Sequence, residues 1–351
     1  MKRRDNTFDF LCGLCIIRMV TLHAFQFTGF NHEPWWKTVM DWTFYLMCFF
    51  FFKAGYFNKS VGGSTVAYIK DRSKRLLVPY FTCGMIGVVL FWVFKYLLDG
   101  VYSTNPIKFV WIHLWRVSDF YGNAPVWFLF SFYVTYIVVH FIEKVRYLHR
   151  VVIVFPLVGY WLYTWGNPLW LNLNNVFIGV FFFYLGHYWH ILLDNIGRRR
   201  MFFLSAVLVA VFAVSNLLFH GVYTMHSNGF SGNPWGAIVN TIVVVCGLSG
   251  LFISLRMPRI PVINFIGEHS MVYFVLHFPI LYFYKNFSLC FRHSVVGKVN
   301  DVVIALILVF CICSWLVPYF ERTAWLSGRF KSKKSISPTP PPVKYNLEKS
   351  I

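Results

Sequence analysis

The chain has 351 residues, of which 58% are hydrophobic, 21% aromatic and 13% charged. This composition excludes an ordinary soluble domain, because repeated apolar runs of about 20 residues are typical of a polytopic membrane protein. The formal net charge of +19 would favour nucleic-acid binding in a soluble chain. Here the basic residues lie in short loops beside apolar stretches, so they indicate membrane orientation, and we expect no nucleic-acid partner.

We predict an all-α bundle of ten membrane spans, in contact with membrane lipids. The predicted spans are 8–28, 39–57, 77–98, 125–142, 150–166, 174–193, 201–219, 234–254, 262–284 and 301–320. The loops on the side of the N-terminus hold 23 Lys and Arg residues, whereas the opposite loops hold six. The positive-inside rule therefore places both termini in the cytoplasm. We expect a multi-pass protein of the bacterial cytoplasmic (inner) membrane.

The first span contains three ionisable residues, Asp9, Arg18 and His23. Ionisable side chains in lipid are costly, so they usually face a protein interior or a water-filled path and mark a functional site. At 100° per residue, Asp9 and His23 fall on one face of the helix, and Arg18 is predicted to point the opposite way. A packing role for His23, hydrogen-bonded to a neighbouring helix, is the alternative.

Two arginines precede the third span, in the segment YIKDRSKRLLVPY of residues 68–80. Arg72 and Arg75 are three residues apart and are predicted to share a helix face at the cytoplasmic mouth of the span. Two guanidinium groups can hold phosphates through paired hydrogen bonds, a geometry that Lys does not match. The alternative is a topology signal that contacts lipid headgroups.

The outer loop 99–124 is predicted to contain a short helix on the membrane surface. Asn105 and Pro106 make a good N-cap and first helical residue. The apolar residues that follow share one face, with Lys108 and Arg116 elsewhere, which indicates an amphipathic helix. Two roles are open for this helix: a lid over an acceptor site, or a plain interfacial anchor.

Two histidines in the sixth span, His187 and His190, are spaced i, i+3 and are candidates for a shared metal. No carboxylate or third ligand is evident nearby in the sequence, so a packing role is favoured. We therefore expect no metal site.

The ninth span contains Ser270, Tyr273 and His277 at i, i+3 and i+7. This spacing puts them on one helix face. A polar stripe inside an apolar helix favours a buried path or site. The alternative is an interhelical hydrogen-bond seam, which is common in membrane bundles.

Taken in order, these segments resemble the acyltransferase-3 family of integral-membrane acyltransferases, which O-acylate mostly extracytoplasmic carbohydrates. The resemblance covers residues 8 to about 280. The matching residues are Asp9, Gly13 and His23, the aromatic run Phe50 to Phe57, Arg72 and Arg75 before Leu-Leu-Val-Pro-Tyr, Trp127-Phe128-Leu129, and Gly267, Ser270 and His277.

The chain departs from the family pattern at three places. Cys12 stands where a basic residue is usual, and Ala54, preceded by Lys53, stands where Ser is usual. Phe274 replaces a Tyr, with Tyr273 beside it. Either Arg18 supplies the missing charge from another face, or that role is absent.

The resemblance implies transfer of an acyl group, most simply acetyl, from a cytoplasmic acyl-CoA to a carbohydrate hydroxyl, with no bound cofactor. It implies His23 as the base or acyl carrier with Asp9 holding the inner end of the site, and Arg72 and Arg75 as donor-binding residues. Supporting roles fall to Arg18, Ser270, Tyr273 and His277. The rise from Phe8 to His23 is ~22 Å, which argues against a direct Asp–His dyad.

Two other functions are open from the sequence. A transporter or flippase for a lipid-linked glycan or small solute would use the intramembrane charges to line its path, but the Gly/Pro-interrupted repeats that such folds often show are not evident. A glycan polymerase would be expected to have a large outer loop, which is missing. We assign residues 1–330 to the transmembrane domain and 331–351 to a basic, Pro-rich cytoplasmic tail that is expected to be disordered.

Overall fold

The computed structural model describes residues 6–58, 64–99, 106–145, 147–166, 169–288 and 295–330. These residues form fifteen α-helices and one short β-hairpin. The helices are α1 (Asn6–Thr28), α2 (Pro34–Trp42), α3 (Leu46–Tyr56), α4 (Thr65–Arg72), α5 (Val78–Asp99), α6 (Pro106–Val117), α7 (Trp127–Ile142), α8 (Phe155–Thr164), α9 (Asn174–Asn195), α10 (Arg198–Leu218), α11 (Pro234–Leu255), α12 (Pro261–Glu268), α13 (Ser270–Ser288), α14 (Val295–Arg322) and α15 (Ala324–Ser327). The tail 331–351 lies outside the described residues.

The predicted all-α membrane bundle is confirmed. Seven helical stretches within the described residues are long and apolar enough to cross a membrane. They are Asn6–Thr28, Thr65–Leu97, Ala124–Ile142, Trp170–Asn195, Arg198–Leu218, Pro234–Leu255 and Val299–Arg322. The stretch Leu148–Thr164 is apolar but shorter. The count of ten spans stays a prediction.

Two predicted spans are interrupted instead of continuous. The span predicted at 39–57 is divided, because α2 ends at Trp42 and α3 begins at Leu46. The span predicted at 262–284 is broken at His269, between α12 and α13. Irregular backbone at membrane depth is tolerated where it is buried in protein or lines a cavity. Both interruptions lie beside cavities that are described below.

Helix α1 is held tightly at its beginning. It packs against α12, α13 and α14, and the amide of Asn264 donates to the carbonyl of Asn6 at 2.7 Å. A Cβ on Gly13 would overlap the carbonyl oxygen of Ile263, and a Cβ on Gly267 would overlap the carbonyl oxygen of Asp9. Only glycine permits this approach of two backbones. The rotation of α1, and hence the direction of its side chains, is fixed by this contact.

We call the end of the bundle at which α1 begins the proximal end, and the end at which it finishes the distal end. Helix α3 runs the opposite way to α1, because the ring of Phe57 lies 4.7 Å from that of Phe8. The last turn of α3 is therefore at the proximal end.

A β-hairpin closes the distal end. Strands β1 (Gly221–Thr224) and β2 (Gly229–Gly232) are antiparallel, with Tyr223 opposite Phe230. Asn228 has a positive φ of 48° and its amide donates to the carbonyl of Gly159 at 2.9 Å. The sequence predicted only a loop here. Each strand has only four residues, and the two strands together contain three glycines, so the sequence shows no clear strand pattern.

The predicted surface helix is present as α6. Ile107 and Trp111 on its apolar face are 79% and 63% exposed, and Trp115 packs on Trp170 with ring centroids 5.0 Å apart. Apolar side chains exposed on one face fit a helix lying at a lipid surface. The predicted cap, Asn105, lies outside the described residues.

Candidate active site

A cavity of about 420 Å³ at the distal end contains the side chain of His23. Its walls come from α1, from the region around the break between α2 and α3, from the start of α7 and from the hairpin. We call it the distal cavity. The hairpin therefore completes a chamber that α1 alone does not form.

His23 lies on the wall of the distal cavity and not towards lipid. Its Nδ1 is 2.8 Å from Oε1 of Gln26, one turn along α1. A neutral ring that donates from Nδ1 to this oxygen leaves Nε2 unprotonated. A neutral imidazole of this kind is suited to remove a proton from a hydroxyl at physiological pH.

His277, on α13, packs directly against His23. The two ring centroids are 5.2 Å apart, and His277 is fully buried. Its Nδ1 donates to the carbonyl of Tyr273 at 2.9 Å. Its Nε2 has no hydrogen-bond partner in the part of the chain that the structure describes. The first and ninth predicted spans thus bring two histidines together.

Arg18 lines the same cavity as His23, so the expectation that it points away is wrong. Its Nε donates to Oγ1 of Thr43 at 3.0 Å, and its Nη2 donates to the carbonyl of Met40 at 3.4 Å. Met40 lies in the last turn of α2 and Thr43 in the break that follows it, and the long side chain reaches them around α1. A guanidinium on the wall of this cavity is chemically suited to stabilise negative charge.

The distal cavity also contains residues that the sequence analysis missed. His226, from the turn of the hairpin, lines the cavity, and its Nε2 is 3.8 Å from Oδ2 of Asp119. The other oxygen of Asp119 accepts from Nδ1 of His113 at 2.9 Å. Asp119 is 5% exposed. His113 is six residues before Asp119, whereas His226 comes from the distant hairpin, so no local sequence pattern connects the three residues.

Two adjoining cavities, of about 480 and 260 Å³, lie at the proximal end. They share Arg72, Phe132, Tyr136 and Ser270 as lining residues, and we call them together the proximal groove. The guanidinium of Arg72 lies 4.1 Å from the ring centroid of Tyr136 and 5.1 Å from that of Tyr68. Its Nε is buried without a hydrogen-bond partner among the described residues, so this cation is held in place with donor capacity left over.

Arg75 lines the smaller cavity with Arg72. The predicted simple helical spacing is altered, because α4 ends at Arg72 and Ser73–Leu77 is a π-helical turn. Such turns are frequent at functional sites. Arg75 is well exposed, and its Nε contacts Oδ1 of Asp71 at 2.9 Å. Arg72 is therefore the more firmly positioned of the two.

Carboxylates also line the smaller cavity, and they are paired. Glu321 contacts Nδ1 of His269 at 2.9 Å and Arg329 at 3.5 Å. Glu268 contacts Arg259 at 3.4 Å. The larger cavity is lined by Lys53 and Arg72, and no carboxylate is among its described lining residues. The net positive charge is therefore greatest in the larger cavity.

The remaining predicted site residues are distributed between three places. Asp9 is 3% exposed and packs against α12, outside the lining of the distal cavity and the proximal groove. Ser270 lines the proximal groove. The hydroxyl of Tyr273 contacts Oγ of Ser314 at 2.7 Å, which joins α13 to α14. Tyr273 thus fits the interhelical seam, and the predicted polar stripe does not face one cavity.

An aromatic layer separates the distal cavity from the proximal groove. Phe128 is 5% exposed, and its ring lies 5.2 Å from that of Phe132, which lines the proximal groove. On its other side it lies 5.1 Å from the ring of Phe274, which lines the distal cavity. A single ring therefore stands between the two chambers at this point.

Neither His187 nor His190 is among the residues that line the distal cavity or the proximal groove. His190 packs on Tyr56 with ring centroids 4.6 Å apart and contacts Asp194 at 3.4 Å. Within the described ranges, no group of three or more His, Cys, Asp or Glu residues is arranged to hold a metal ion.

Comparison with known proteins identifies the family. No curated protein and no solved structure matches the chain. The family model described as "Acyltransferase domain", that of the acyltransferase-3 family, matches residues 5–318. This match covers most of the chain and confirms the resemblance found in the motifs. The chain therefore belongs to the acyltransferase-3 family of membrane acyltransferases.

Proposed function

We propose that the protein transfers an acyl group, most simply acetyl, from acyl-CoA to a hydroxyl of an extracytoplasmic or lipid-linked sugar. The observation that carries this proposal is the separation of two chemically different chambers along α1. The proximal groove has cations suited to an anionic donor, and the distal cavity has a histidine suited to activate a hydroxyl.

The proximal groove is the proposed donor site. Guanidinium groups bind phosphate through charge-assisted hydrogen bonds, and Arg72 is fixed between two tyrosine rings with Nε unused. The phosphates of coenzyme A would lie here. The thioester arm would extend past Phe128 towards His23.

The distal cavity is the proposed acceptor site. His23 takes the proton from the sugar hydroxyl as its oxygen attacks the thioester carbonyl carbon. The carbon–sulfur bond then breaks, and the imidazolium returns the proton to the thiolate of coenzyme A. Arg18 lies where a cation stabilises the carbonyl oxygen as it becomes negative. His226 and Trp127, which line the same cavity, would contact the sugar.

We further propose that the proximal end faces the cytoplasm and the distal end the outside, in the bacterial cytoplasmic membrane. The excess of Lys and Arg in the loops of the proximal side supports this orientation. It puts the donor site in the compartment that contains acyl-CoA.

The test compares cells with and without the protein. Surface polysaccharide is extracted and examined by mass spectrometry and NMR for ester-linked acyl groups. The proposal expects an added acyl mass at one hydroxyl, lost in cells that make His23→Ala at the wild-type protein level. Unchanged acylation together with loss of glycan export would instead identify a transporter or flippase.

A further inference from the structure

Lys53 is a cation at the proximal end of the molecule to which the proposed function gives no role. It lies in the last turn of α3, and its Nζ is 3.0 Å from Sγ of Cys12 on α1. A thiol is a weak hydrogen-bond acceptor, whereas an ammonium has three donors. Among the described residues, no carboxylate lies within ion-pair distance of Lys53. Within the part of the chain that the structure describes, this charge is therefore poorly compensated.

Lys53 and Arg72 line the same cavity. One side chain comes from α3 and the other from the end of α4, so they approach the cavity from separate elements. The other polar residues of the lining, Asn58, Tyr136 and Ser270, are neutral. The amide of Asn58 donates to Oε1 of Glu143 at 2.7 Å, and Glu143 itself is not among the lining residues. Two cations with no facing carboxylate in the described lining make an anion-binding chamber.

The ammonium of Lys53 lies beside position 12 of α1. Cys12 faces the ammonium of Lys53, so a basic residue at either position would put its charge at nearly the same place. Arg18 does not reach this place, because its guanidinium is bound to Thr43 and Met40 beside the distal cavity. Of positions 12 and 53, only position 53, on α3, carries a positive charge in this chain.

We propose that Lys53 is a donor-binding residue that contacts the phosphates of coenzyme A together with Arg72. This proposal rests on the proposed function, because it assumes that the anion in the proximal groove is the acyl donor. It adds a ligand from α3 that the paired arginines do not include.

The test measures binding of coenzyme A and of pantetheine, which lacks the phosphates, by purified protein in nanodiscs. Lys53→Met is expected to weaken coenzyme A binding about tenfold, the effect of one charge-assisted hydrogen bond, and to leave pantetheine binding unchanged. Lys53→Arg keeps the charge and is expected to stay within about threefold of the wild type. Lys95→Met, in α5 and outside the groove, is the matched control.

A charge relocation separates binding from packing. In the double variant Cys12→Lys with Lys53→Met, the cation moves to α1, and coenzyme A affinity is expected to return to within about threefold of the wild type. If this variant does not fold, the comparison of Lys53→Met with Lys53→Arg decides. Equal affinity of Lys53→Met and wild type for coenzyme A would overturn the inference. Wild-type protein that does not bind coenzyme A at all would overturn the proposed function instead.

Discussion

The imidazole rings of His23 and His277 lie 5.2 Å apart, with their planes inclined by 31°. Nδ1 of each ring is hydrogen-bonded within its own helix, to Gln26 and to the carbonyl of Tyr273 respectively. Both rings therefore keep Nε2 as an acceptor. The ring of Phe278 packs edge-on against His23 at 5.4 Å, so the orientation of His23 is set by α13 as well as by α1.

Replacement of His23 by Ala removes the proposed base. We expect the rate of acyl transfer to fall by about 10² to 10⁴, the usual contribution of a positioned general base. The measurement is radiolabel transferred from acetyl-CoA in membrane vesicles that contain native glycan. His32→Ala, an exposed histidine beyond the end of α1, is the control. A fully active His23→Ala protein would remove this residue from the mechanism.

Replacement of His277 by Phe keeps an aromatic ring beside His23 but removes the polar nitrogen atoms. We expect the maximal rate to fall about tenfold to a hundredfold because the geometry of His23 is disturbed. The KM for acetyl-CoA should not change, since His277 is remote from the proximal groove. A raised KM with an unchanged maximal rate would contradict a positioning role.

Replacement of Arg72 by Lys keeps the charge but removes the planar group between Tyr68 and Tyr136. We expect coenzyme A to bind about tenfold more weakly, because Lys reproduces neither the stacking nor the paired hydrogen bonds. Arg200→Lys, at an exposed position at the start of α10, is the matched control. Wild-type affinity in Arg72→Lys would show that charge alone is sufficient.

Replacement of Asp119 by Asn removes the charge that faces both His113 and His226. We expect the rate of acyl transfer at low glycan concentration to fall about tenfold. The affinity for coenzyme A should stay at the wild-type value. Asp194→Asn disrupts another Asp–His pair, that with His190, and should have no such effect. Equal losses in the two variants would point to general destabilisation.

Replacement of Gly267 by Ala adds a Cβ against the carbonyl of Asp9. We expect a loss of about 1–3 kcal/mol in stability, the usual cost of overpacking, seen as a lower midpoint of thermal unfolding in detergent. Gly197→Ala is the control, because a Cβ there meets no atom within 4 Å. An unchanged midpoint in Gly267→Ala would show that α12 can move away from α1.

Hydropathy and loop charge were sufficient to predict the class of fold, and the ordered motifs were sufficient to predict the family. The breaks at residues 43–45 and at His269 were not predictable in the same way, because the segments on both sides of each break are apolar enough to be taken as one continuous span. In each case polar contacts between separate elements accompany the break, such as that of Arg18 with Thr43.

The candidate site was predictable only in part. His23 and His277 were identified as ionisable groups in apolar stretches, and Arg72 from the pair of arginines before the third predicted span. Their neighbours depend on packing between distant helices. Arg18 was misplaced because a helical wheel gives the direction of Cβ and not the position of a long side chain's end. Lys53 and His226 were missed because no local pattern connects Lys53 with Cys12, or residue 226 with Asp119.

The ring of Phe128 has a consequence for the cell as well as for the reaction. A protein that lets a carrier reach across the hydrocarbon region risks becoming a leak for protons and other ions. An apolar ring between two chambers interrupts any continuous column of water, as hydrophobic constrictions do in closed channels. Under the proposed function, the thin acyl arm of the donor would displace this ring briefly while hydrated ions stay excluded, so that the ion gradients across the membrane would be preserved during turnover.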